Sequence, residues 1–355
     1  MQKLTVPEAE AGRRLDKYLL KILDAAPKSF LYKAFRKKNI KLNGKRAEGN
    51  ELLQGGDEIL LFFSDGTFQS LMQKNGHKSG GDIANREGKC GNGGKWSGTV
   101  QRSGAFPAEF CSLLYEDENV LIVNKHSGIK SQKAQPGDYT LNEALRDYCG
   151  EREEGSAFVP SVCNRLDRNT SGLVLFARTY GASRELSRIL RERTVDKYYL
   201  AAVWGTVDRA ERIRAWLKKD ERTNTVRIAQ EQENGSAAVE TQYRVLTQDE
   251  CAQLGFCSAH GTICGENYTL LKIKLITGKT HQIRAHLAFA GHPILGDLKY
   301  GSRGLCKALQ SGFGVDSQLL HAWELVMPDS LAQPLGNLAG RVFRAELSEK
   351  FRILN

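Results

Sequence analysis

The chain has 355 residues, of which 41% are hydrophobic and 26% charged. This composition supplies enough apolar material for a folded core and excludes a fibrous or wholly disordered protein. The length exceeds that of a typical single domain and favours two domains. Lysine and arginine (51) outnumber aspartate and glutamate (41), and the net charge of +10 favours a polyanionic partner, nucleic acid before membrane. No apolar stretch is long enough for a signal peptide or a membrane span, so we expect a cytoplasmic protein with no membrane partner.

The first 65 residues predict two short amphipathic helices followed by a strand. In GRRLDKYLLKIL, the apolar residues Leu15, Leu19, Ile22 and Leu23 recur at helical spacing. SFLYKAFRKKN predicts a second helix, and the chain continues through IKLNGKRA and a Gly-Gly-Asp turn to the apolar run EILLFF. We therefore expect residues 1–65 to form a small domain of their own.

Basic side chains dominate the second predicted helix and the turn after it. Between Lys28 and Arg46 there are eight lysines and arginines and no acid, whereas a merely solvated helix usually carries interspersed acids. A face of one charge sign is typical of a surface that binds nucleic-acid phosphates. We expect RNA contacts from Lys33, Arg36, Lys37, Lys38 and Lys45.

Residues 66–109 differ in composition from both of their neighbours. They are rich in Gly, Ser, Asn and Lys and lack apolar periodicity, so they cannot bury enough surface to offset the entropy lost on ordering. We predict a flexible linker here. Its GNGG sequence is not a phosphate-binding loop, because no predicted strand precedes it and no predicted helix follows.

From residue 110 the apolar runs return and predict a second domain, residues 110–355. Strands outnumber helices without regular alternation, so we expect an α+β fold with a mixed, mainly antiparallel sheet and flanking helices. One helix is predicted over 180–193, with Leu186, Ile189 and Leu190 on its apolar face. The predicted strands are VLIV (120–123), GLVLFA (172–177), YYLAAVWG (198–205) and LLKIKLIT (270–277).

The stretch NRLDRNTSGLVLFART, residues 164–179, joins a polar loop to a predicted buried strand. Asp167 stands between Arg165 and Arg168, and a Thr-Ser-Gly corner leads directly into the apolar run. A loop tied to the core is a common place for functional side chains, but an ordinary solvated turn has the same composition. These residues alone leave both interpretations open.

In LITGKTHQIRAHLAFAGHPILGD a predicted strand leads into a helix that carries Gln282, Arg284 and His286. A zinc site is disfavoured, because His281 and His286 are five residues apart and lack the glutamate of HExxH. Two histidines without a third ligand do not close a metal site. The eight cysteines contain no CxxC pair, so we predict reduced thiols, no disulfide and no metal.

Two resemblances extend this interpretation. Residues 12–63 resemble the RNA-binding module named after ribosomal protein S-four, in the opening RLDK, the basic second helix, the turn IKLNG and the closing GDEI. Roughly residues 110–330 resemble the RluA-type pseudouridine synthases. Three blocks carry this second resemblance, and they occur in the family's order: YEDENVLIVNK, RLDRNTSGLVLFA, and TGKTHQIRAHL with GHPILGD. In addition, LLHAWEL resembles the family's closing strand.

The second resemblance implies an enzyme that isomerises uridine in RNA to pseudouridine. Carried over by position, it implies that Asp167 is the catalytic aspartate, that Tyr199 stacks on the uracil and that Arg284 pairs with the aspartate. Tyr198 is adjacent, but the family pattern Lys-x-Tyr favours Tyr199. Isomerisation involves no net redox change, hydrolysis or phosphate transfer, so we predict no cofactor.

RNA contacts near the catalytic aspartate are expected from two residues. A uridine inside a helix is out of reach and has to be extruded from the stack. Arg165 is the candidate to fill the vacated space or to bind a flanking phosphate. Gln282 is a second candidate RNA contact.

Two positions depart from the family pattern. Asn164 replaces the usual histidine before Arg-Leu-Asp, and it can still form hydrogen bonds, so we expect retained activity. Residues 125–128 read Lys-His-Ser-Gly in place of Lys-Pro-x-Gly, which removes a rigid turn.

Three functional hypotheses remain at this stage. The first is an RNA pseudouridine synthase, most simply for large-subunit ribosomal RNA, with transfer RNA as the alternative substrate. The second is a catalytically silent RNA-binding protein of ribosome assembly, which the intact Asp167, Tyr199 and Arg284 argue against. The third, a glycosidase, would need a second carboxylate that these blocks do not supply. A monomer is expected.

Overall fold

The structure is a computed structural model that describes residues 1–72, 105–150, 157–220, 222–223 and 225–355. The predicted linker falls largely on residues 73–104, which lie outside the described residues. None of the described helices is both long enough and apolar enough to cross a membrane.

The N-terminal module, residues 1–72, combines one sheet with short helices. Its elements are β1 (Gln2–Thr5), a 3-10 helix (Glu8–Glu10), α1 (Leu15–Ile22), α2 (Lys28–Arg36), β2 (Ile40–Leu42), β3 (Lys45–Arg46), β4 (Glu58–Leu61) and α3 (Asp65–Leu71). The four strands pair antiparallel in the order β1-β4-β2-β3. Leu15 and Leu19 of α1 and Leu31 of α2 are fully buried against Ile59 and Leu61 of β4, so the two predicted helices supply the core.

In the structure the N-terminal module continues past the boundary predicted at residue 66. Residues 66–71 belong to α3, whose first turn is capped by Ser64: its hydroxyl accepts a hydrogen bond from the Thr67 backbone N–H. Leu71, at the end of this helix, is buried in the core of the module. Composition alone missed this helix because a single buried leucine and a serine cap are enough to hold a short turn against an existing core.

The remaining elements form a second, larger α+β unit. They are β5 (Cys111–Glu116), β6 (Val120–Lys125), α4 (Leu141–Cys149), β7 (Ser161–Val162), β8 (Ser171–Ala177), α5 (Tyr180–Glu192), β9 (Asp196–Trp204), β10 (Glu211–Asp220), β11 (Thr225–Ala229), β12 (Ala237–Val245), α6 (Gln248–Leu254), β13 (His260–Ile263), β14 (Glu266–Leu275), α7 (Gln282–Phe289), α8 (Arg303–Phe313), β15 (Leu320–Val326) and β16 (Val342–Arg344), with 3-10 helices at Gly336–Leu338 and Glu349–Leu354.

These strands form one sheet with the main order β11-β10-β12-β14-β9-β15-β8-β6-β5. Among the described strands, β15 and β8 are the one parallel pair, which confirms the predicted mixed, mainly antiparallel sheet. The four predicted apolar runs become β6, β8, β9 and β14, which are all interior strands of this order. β8 is buried at all seven positions because both faces of the sheet are covered.

Alternation along β9 separates the two sides of the sheet. Tyr199 and Ala201 face a core that includes Ile283 of α7, whereas Leu200 and Ala202 face the opposite core. The helix predicted from HQIRAH is thereby packed against the face of the sheet that carries Tyr199.

A buried ion pair inside the N-terminal module contacts the larger unit through both of its side chains. Arg13 and Glu10 lie 3.0 Å apart with side chains 4% and 0% exposed. The Glu10 carboxylate also accepts a hydrogen bond from the Phe158 backbone N–H, and the Arg13 guanidinium lies over the ring of Tyr180, 4.2 Å from its centroid. Arg184 of α5 donates to the Gly12 carbonyl oxygen at 3.2 Å. The module thus rests on the start of α5.

Gly172 permits the close approach of β8 and β15, and its replacement tests that approach. Its φ is 113°, and a Cβ there would lie 2.1 Å from the Ala322 carbonyl oxygen. We expect Gly172→Ala to lower the free energy of unfolding by about 1–3 kcal/mol or more, because backbone atoms would have to move apart.

The matched control is Gly312→Ala, in α8, where a Cβ meets no atom within 4 Å. We expect this variant to be more stable by about 0.5–1 kcal/mol. Urea unfolding of both variants makes the comparison, and equal stabilities would contradict the steric argument.

Candidate active site

Asp167 lies in the polar loop between β7 and β8, and Asn164 fastens this loop to β8. The Asn164 amide donates a hydrogen bond to the Leu173 carbonyl oxygen (3.1 Å) and accepts one from the Leu175 backbone N–H (2.7 Å). Inside the loop, the Thr170 N–H donates to the Asp167 carbonyl oxygen at 3.1 Å. The expectation that Asn164 still forms hydrogen bonds is confirmed.

Lys125, at the end of β6, is a buried lysine that holds the same loop. Its Nζ donates hydrogen bonds to the carbonyl oxygens of His126 (2.8 Å), Ile129 (2.8 Å) and Arg168 (3.1 Å). Burial lowers the pKa of Lys125 to about 7, against the opposing effect of the Asp167 charge. Lys125 therefore ties the segment after β6 to the loop before β8.

Two serines continue this anchoring. Ser131 Oγ donates to the Leu166 carbonyl oxygen (3.0 Å) and accepts from the Leu166 N–H (3.1 Å). Ser171 Oγ lies 2.8 Å from Nδ1 of the fully buried His321. Burial lowers the pKa of His321 to about 4, so its ring is neutral at neutral pH. Lys125 and His321 lie in the motif blocks, but no local pattern reveals what they contact, and sequence reasoning missed their role.

Arg284, on α7, connects two carboxylates. Its Nε and Nη2 donate to the two oxygens of Asp297 (2.7 and 2.8 Å), and its Nη1 donates to Oδ2 of Asp167 (3.1 Å). Asp297 is fully buried and also accepts the backbone N–H groups of Lys299 and Tyr300. Although burial acts to lower the pKa of Arg284, the two aspartates raise it, so the guanidinium stays charged. Asp297 stands in the GHPILGD block but was not singled out from the sequence.

Tyr199 lies on the same side of the sheet as this ion pair. Its strand neighbours are Ile273 of β14 and Ala322 of β15, and only 8% of the residue is exposed. Burial, together with the charge of Asp167, raises the pKa of the Tyr199 phenol. Tyr198 points to the opposite side, where Lys272 Nζ lies 4.6 Å from its ring centroid. Strand geometry thus separates the two tyrosines that the sequence places side by side.

Access differs sharply between the members of this site. The Asp167 side chain is 26% exposed, whereas that of Arg284 is 7% exposed. A carboxylate that is held by a charged guanidinium and open to solvent on another side can act as a nucleophile or an acid–base group toward a bound molecule. The arrangement therefore offers a partly exposed carboxylate on a well-supported scaffold.

Gln282 does not fit its predicted role as an RNA contact. The residue is 2% exposed, and its amide is saturated by protein groups. Oε1 accepts from Thr277 Oγ1 (2.8 Å) and the Lys279 N–H (3.1 Å), and Nε2 donates to the Glu240 carbonyl oxygen and Thr241 Oγ1 (both 3.0 Å). Its position before Arg284 serves to fasten α7 to β12.

The other predicted RNA contacts lie on the surface. Arg165 is exposed on the loop that carries Asp167. The five basic residues of the N-terminal module are exposed and form no ion pair within the described part of the chain; they are Lys33, Arg36, Lys37, Lys38 and Lys45. They lie in the N-terminal module and are not part of the Asp167 site.

The chain is similar to proteins of known family. A family model described as RNA pseudouridylate synthase matches residues 119–289. Ribosomal large subunit pseudouridine synthase C of Pasteurella multocida is 31% identical over 326 residues, which are 92% of this chain and 85% of that protein. The protein of the same name from Escherichia coli K12 is 31% identical over 315 residues, 88% and 84% of the two chains. Among solved structures, Human RNA Pseudouridylate Synthase Domain Containing 1 is similar at 27% identity, covering 69% of this chain and 92% of that one with a TM-score of 0.48.

Removal of Asp297 tests how strongly the buried ion pair supports the site. We expect Asp297→Ala to lower the free energy of unfolding by about 3–5 kcal/mol, because Arg284 would keep its buried charge and lose its bidentate partner. The control Glu233→Ala breaks an exposed pair with Arg227 and should cost no more than about 1 kcal/mol. Urea denaturation measures both, and similar losses in the two variants would argue against a supporting role for Asp297.

Proposed function

Since the chain belongs to the RNA pseudouridylate synthase family, as an RluA-type enzyme, we propose that it isomerises specific uridines of large-subunit ribosomal RNA with Asp167 as the nucleophile. The observation that carries the proposal is the accessible Asp167 carboxylate, which accepts a hydrogen bond from the buried Arg284 guanidinium at 3.1 Å. Arg284 is itself oriented from behind by Asp297. These three side chains come from two motif blocks far apart in the sequence.

The reaction breaks the bond between N1 of the uracil and C1′ of the ribose and joins C1′ to C5 of the same base. A carboxylate that attacks either the sugar or the ring has to be ionised. The positive charge of Arg284 lies 3.1 Å from Oδ2 of Asp167 and attracts the carboxylate. Arg284 therefore has a clear chemical reason to contact the nucleophile.

Tyr199 is the proposed support for the base. Stacking of a base on an aromatic ring contributes about 1–3 kcal/mol and works for a base that has been detached from its sugar. Tyr199 is held by strands on both sides and by the core, so its ring has little freedom to move. The raised pKa of the phenol keeps it protonated, which makes positioning rather than proton removal its proposed role.

Extrusion of the uridine requires contacts to the surrounding RNA. Arg165 is exposed on the loop that carries Asp167, and its proposed role is to enter the space left by the flipped base or to bind a flanking phosphate. The exposed lysines and arginines of the N-terminal module would bind phosphates independently of sequence. Their resemblance to an S-four module and the names of the ribosomal relatives support ribosomal RNA as the substrate.

Asp167→Asn tests the nucleophile and the substrate together. We expect it to abolish pseudouridine formation while leaving RNA affinity nearly unchanged, because the amide keeps the shape and loses the charge. Carbodiimide-blocked primer extension on ribosomal and transfer RNA would be run in cells that lack the gene and carry the wild type, Asp167→Asn or the control Asp316→Asn, whose carboxylate pairs with Lys350 at the surface.

In this experiment, large-subunit positions should be lost on deletion and restored by the wild type and the control, but not by Asp167→Asn. If Asp167→Asn restores the pseudouridines, Asp167 is not the nucleophile. If deletion removes pseudouridines from transfer RNA instead, the proposed ribosomal substrate is refuted, and the proposed reaction is not. Purified protein acting on transcripts covers the case in which another synthase modifies the same site in cells.

Replacement of Arg36, Lys37 and Lys38 by alanine tests the RNA-binding surface. We expect weaker RNA binding and a salt dependence reduced by up to about three phosphate contacts. The control replaces three basic residues that pair with carboxylates, Arg188, Lys350 and Arg352, and removes the same total charge. Fluorescence anisotropy against salt concentration makes the measurement, and equal salt slopes for the two triple variants would place the RNA-binding surface elsewhere.

A further inference from the structure

His281 occupies an unusual backbone position directly before α7. Its φ and ψ are 52° and 16°, in the left-handed region, and its side chain does not cap the helix. Helix N-caps normally have extended backbone and a short polar side chain that bonds the first turn. A non-glycine residue held in the left-handed region is often found where function requires a particular side-chain direction.

The ring of His281 is oriented by Tyr300 and directed at Asp167. Nδ1 lies 2.9 Å from the Tyr300 hydroxyl, which also accepts a hydrogen bond from the Val226 N–H at 2.9 Å. Nε2 lies 3.9 Å from Oδ2 of Asp167, too far for a hydrogen bond. Tyr300 is also the ring over which the Arg284 guanidinium lies, 5.2 Å from the centroid. His281 thus presents a free ring nitrogen beside the proposed nucleophile.

Among the described residues around Asp167, His281 is a candidate proton acceptor at neutral pH. Burial lowers the pKa of His281 despite the charge of Asp167, so the ring is neutral; the other charged neighbours that act on it are Arg284, Lys299 and Asp297. Arg284 stays protonated, and burial raises the pKa of the Tyr300 phenol.

Two further groups around Asp167 do not offer a basic atom to a bound molecule. Tyr199 stays protonated because its phenol pKa is raised. Lys125 is fully buried and directs its Nζ to three carbonyl oxygens. Of these groups, His281 alone combines a neutral state with a nitrogen directed at the carboxylate.

We propose that Nε2 of His281 removes the proton from C5 of the uracil after C5 has bonded to the ribose. The proposal rests on the function proposed above. At that stage C5 carries both its hydrogen and C1′. The proton moves from C5 to Nε2, the C–H electron pair forms the C5=C6 double bond, and the electron pair of the C6=N1 double bond moves to N1. N1 then takes up a proton, so the product is an isomer of uridine.

The contact with Tyr300 prepares the required tautomer. Nε2 accepts a proton only if the ring hydrogen is on Nδ1, and Nδ1 then donates it to the Tyr300 oxygen. That oxygen has a second lone pair for the Val226 N–H, so both bonds coexist. Tyr300 is therefore a positioning residue for His281.

The test compares His281→Gln with the wild type on RNA that carries uridine, 5-deuterouridine or 5-fluorouridine at the target position. Fluorine does not leave C5 as a cation, so consumption of 5-fluorouridine reports only the steps before proton removal. We expect His281→Gln to slow single-turnover conversion of uridine by about 10²–10⁴-fold. It should consume 5-fluorouridine at the wild-type rate and show a larger deuterium isotope effect than the wild type.

His292→Gln is the matched control, because that ring contacts the Trp204 carbonyl oxygen and takes no part in the Asp167 site. It should convert all three substrates at the wild-type rate. Asp167→Asn should block uridine and 5-fluorouridine alike; if it does not, the proposed nucleophile fails whatever the result for His281.

Equal slowing of uridine and 5-fluorouridine by His281→Gln, or no slowing of either, overturns the proton-transfer role. Should that variant fail to fold, His281→Ala with added imidazole and Tyr300→Phe provide the same test. Imidazole should restore uridine conversion in the first, and the second should be slowed on uridine alone. Failure of both expectations overturns the proposal.

Discussion

The bidentate ion pair between Arg284 and Asp297 is the interaction on which the rest of the site depends. Asp297 is fully buried and takes two of the guanidinium N–H groups, which leaves Nη1 directed at Asp167. Burying such a pair costs desolvation, and its net contribution to stability is often small. The ion pair instead fixes the orientation of Arg284. Because the guanidinium is planar and Asp297 holds its Nε and Nη2 edge, Nη1 is constrained to point at Asp167. A substrate that approaches Asp167 therefore meets a charge that is already in place.

The backbone of the Asp167 loop is held in the same manner, by groups distant in the sequence. Lys125 binds it from the end of β6, Ser131 from the segment beyond, and His321 binds Ser171 from β15. Gly172 allows β15 to approach closely enough for this last contact. Because the anchors act on the backbone and on residues next to Asp167, its carboxylate remains accessible while its main chain is constrained.

The sequence predicts the regular part of this architecture well and the supporting contacts poorly. The apolar runs of β6, β8, β9 and β14 are visible because burial on a sheet leaves a local pattern, and the predicted sheet is confirmed. Asp297 and Lys125 carry no such pattern, since their partners lie more than ten residues away or on backbone atoms. Gln282 shows the converse: a polar residue two positions before Arg284 predicts an RNA contact, whereas its amide fastens α7 to β12. Local sequence patterns indicate which residues are buried. Which group a buried polar side chain contacts depends on how distant segments come together in the fold.

The junction between the N-terminal module and the larger unit adds a constraint that neither unit has alone. In the proposed function, phosphate contacts from the module would supply affinity without distinguishing one uridine from another. Selection of a site then requires a set separation between the surface that binds phosphates and the carboxylate that reacts. The buried pair of Glu10 and Arg13, the hydrogen bond to Phe158 and the stacking on Tyr180 supply such a connection next to α5. In the proposed function, these contacts hold the basic surface of the module at a set distance from Asp167, in addition to the predicted linker. The shape of the RNA bound to both then decides which uridine reaches Asp167.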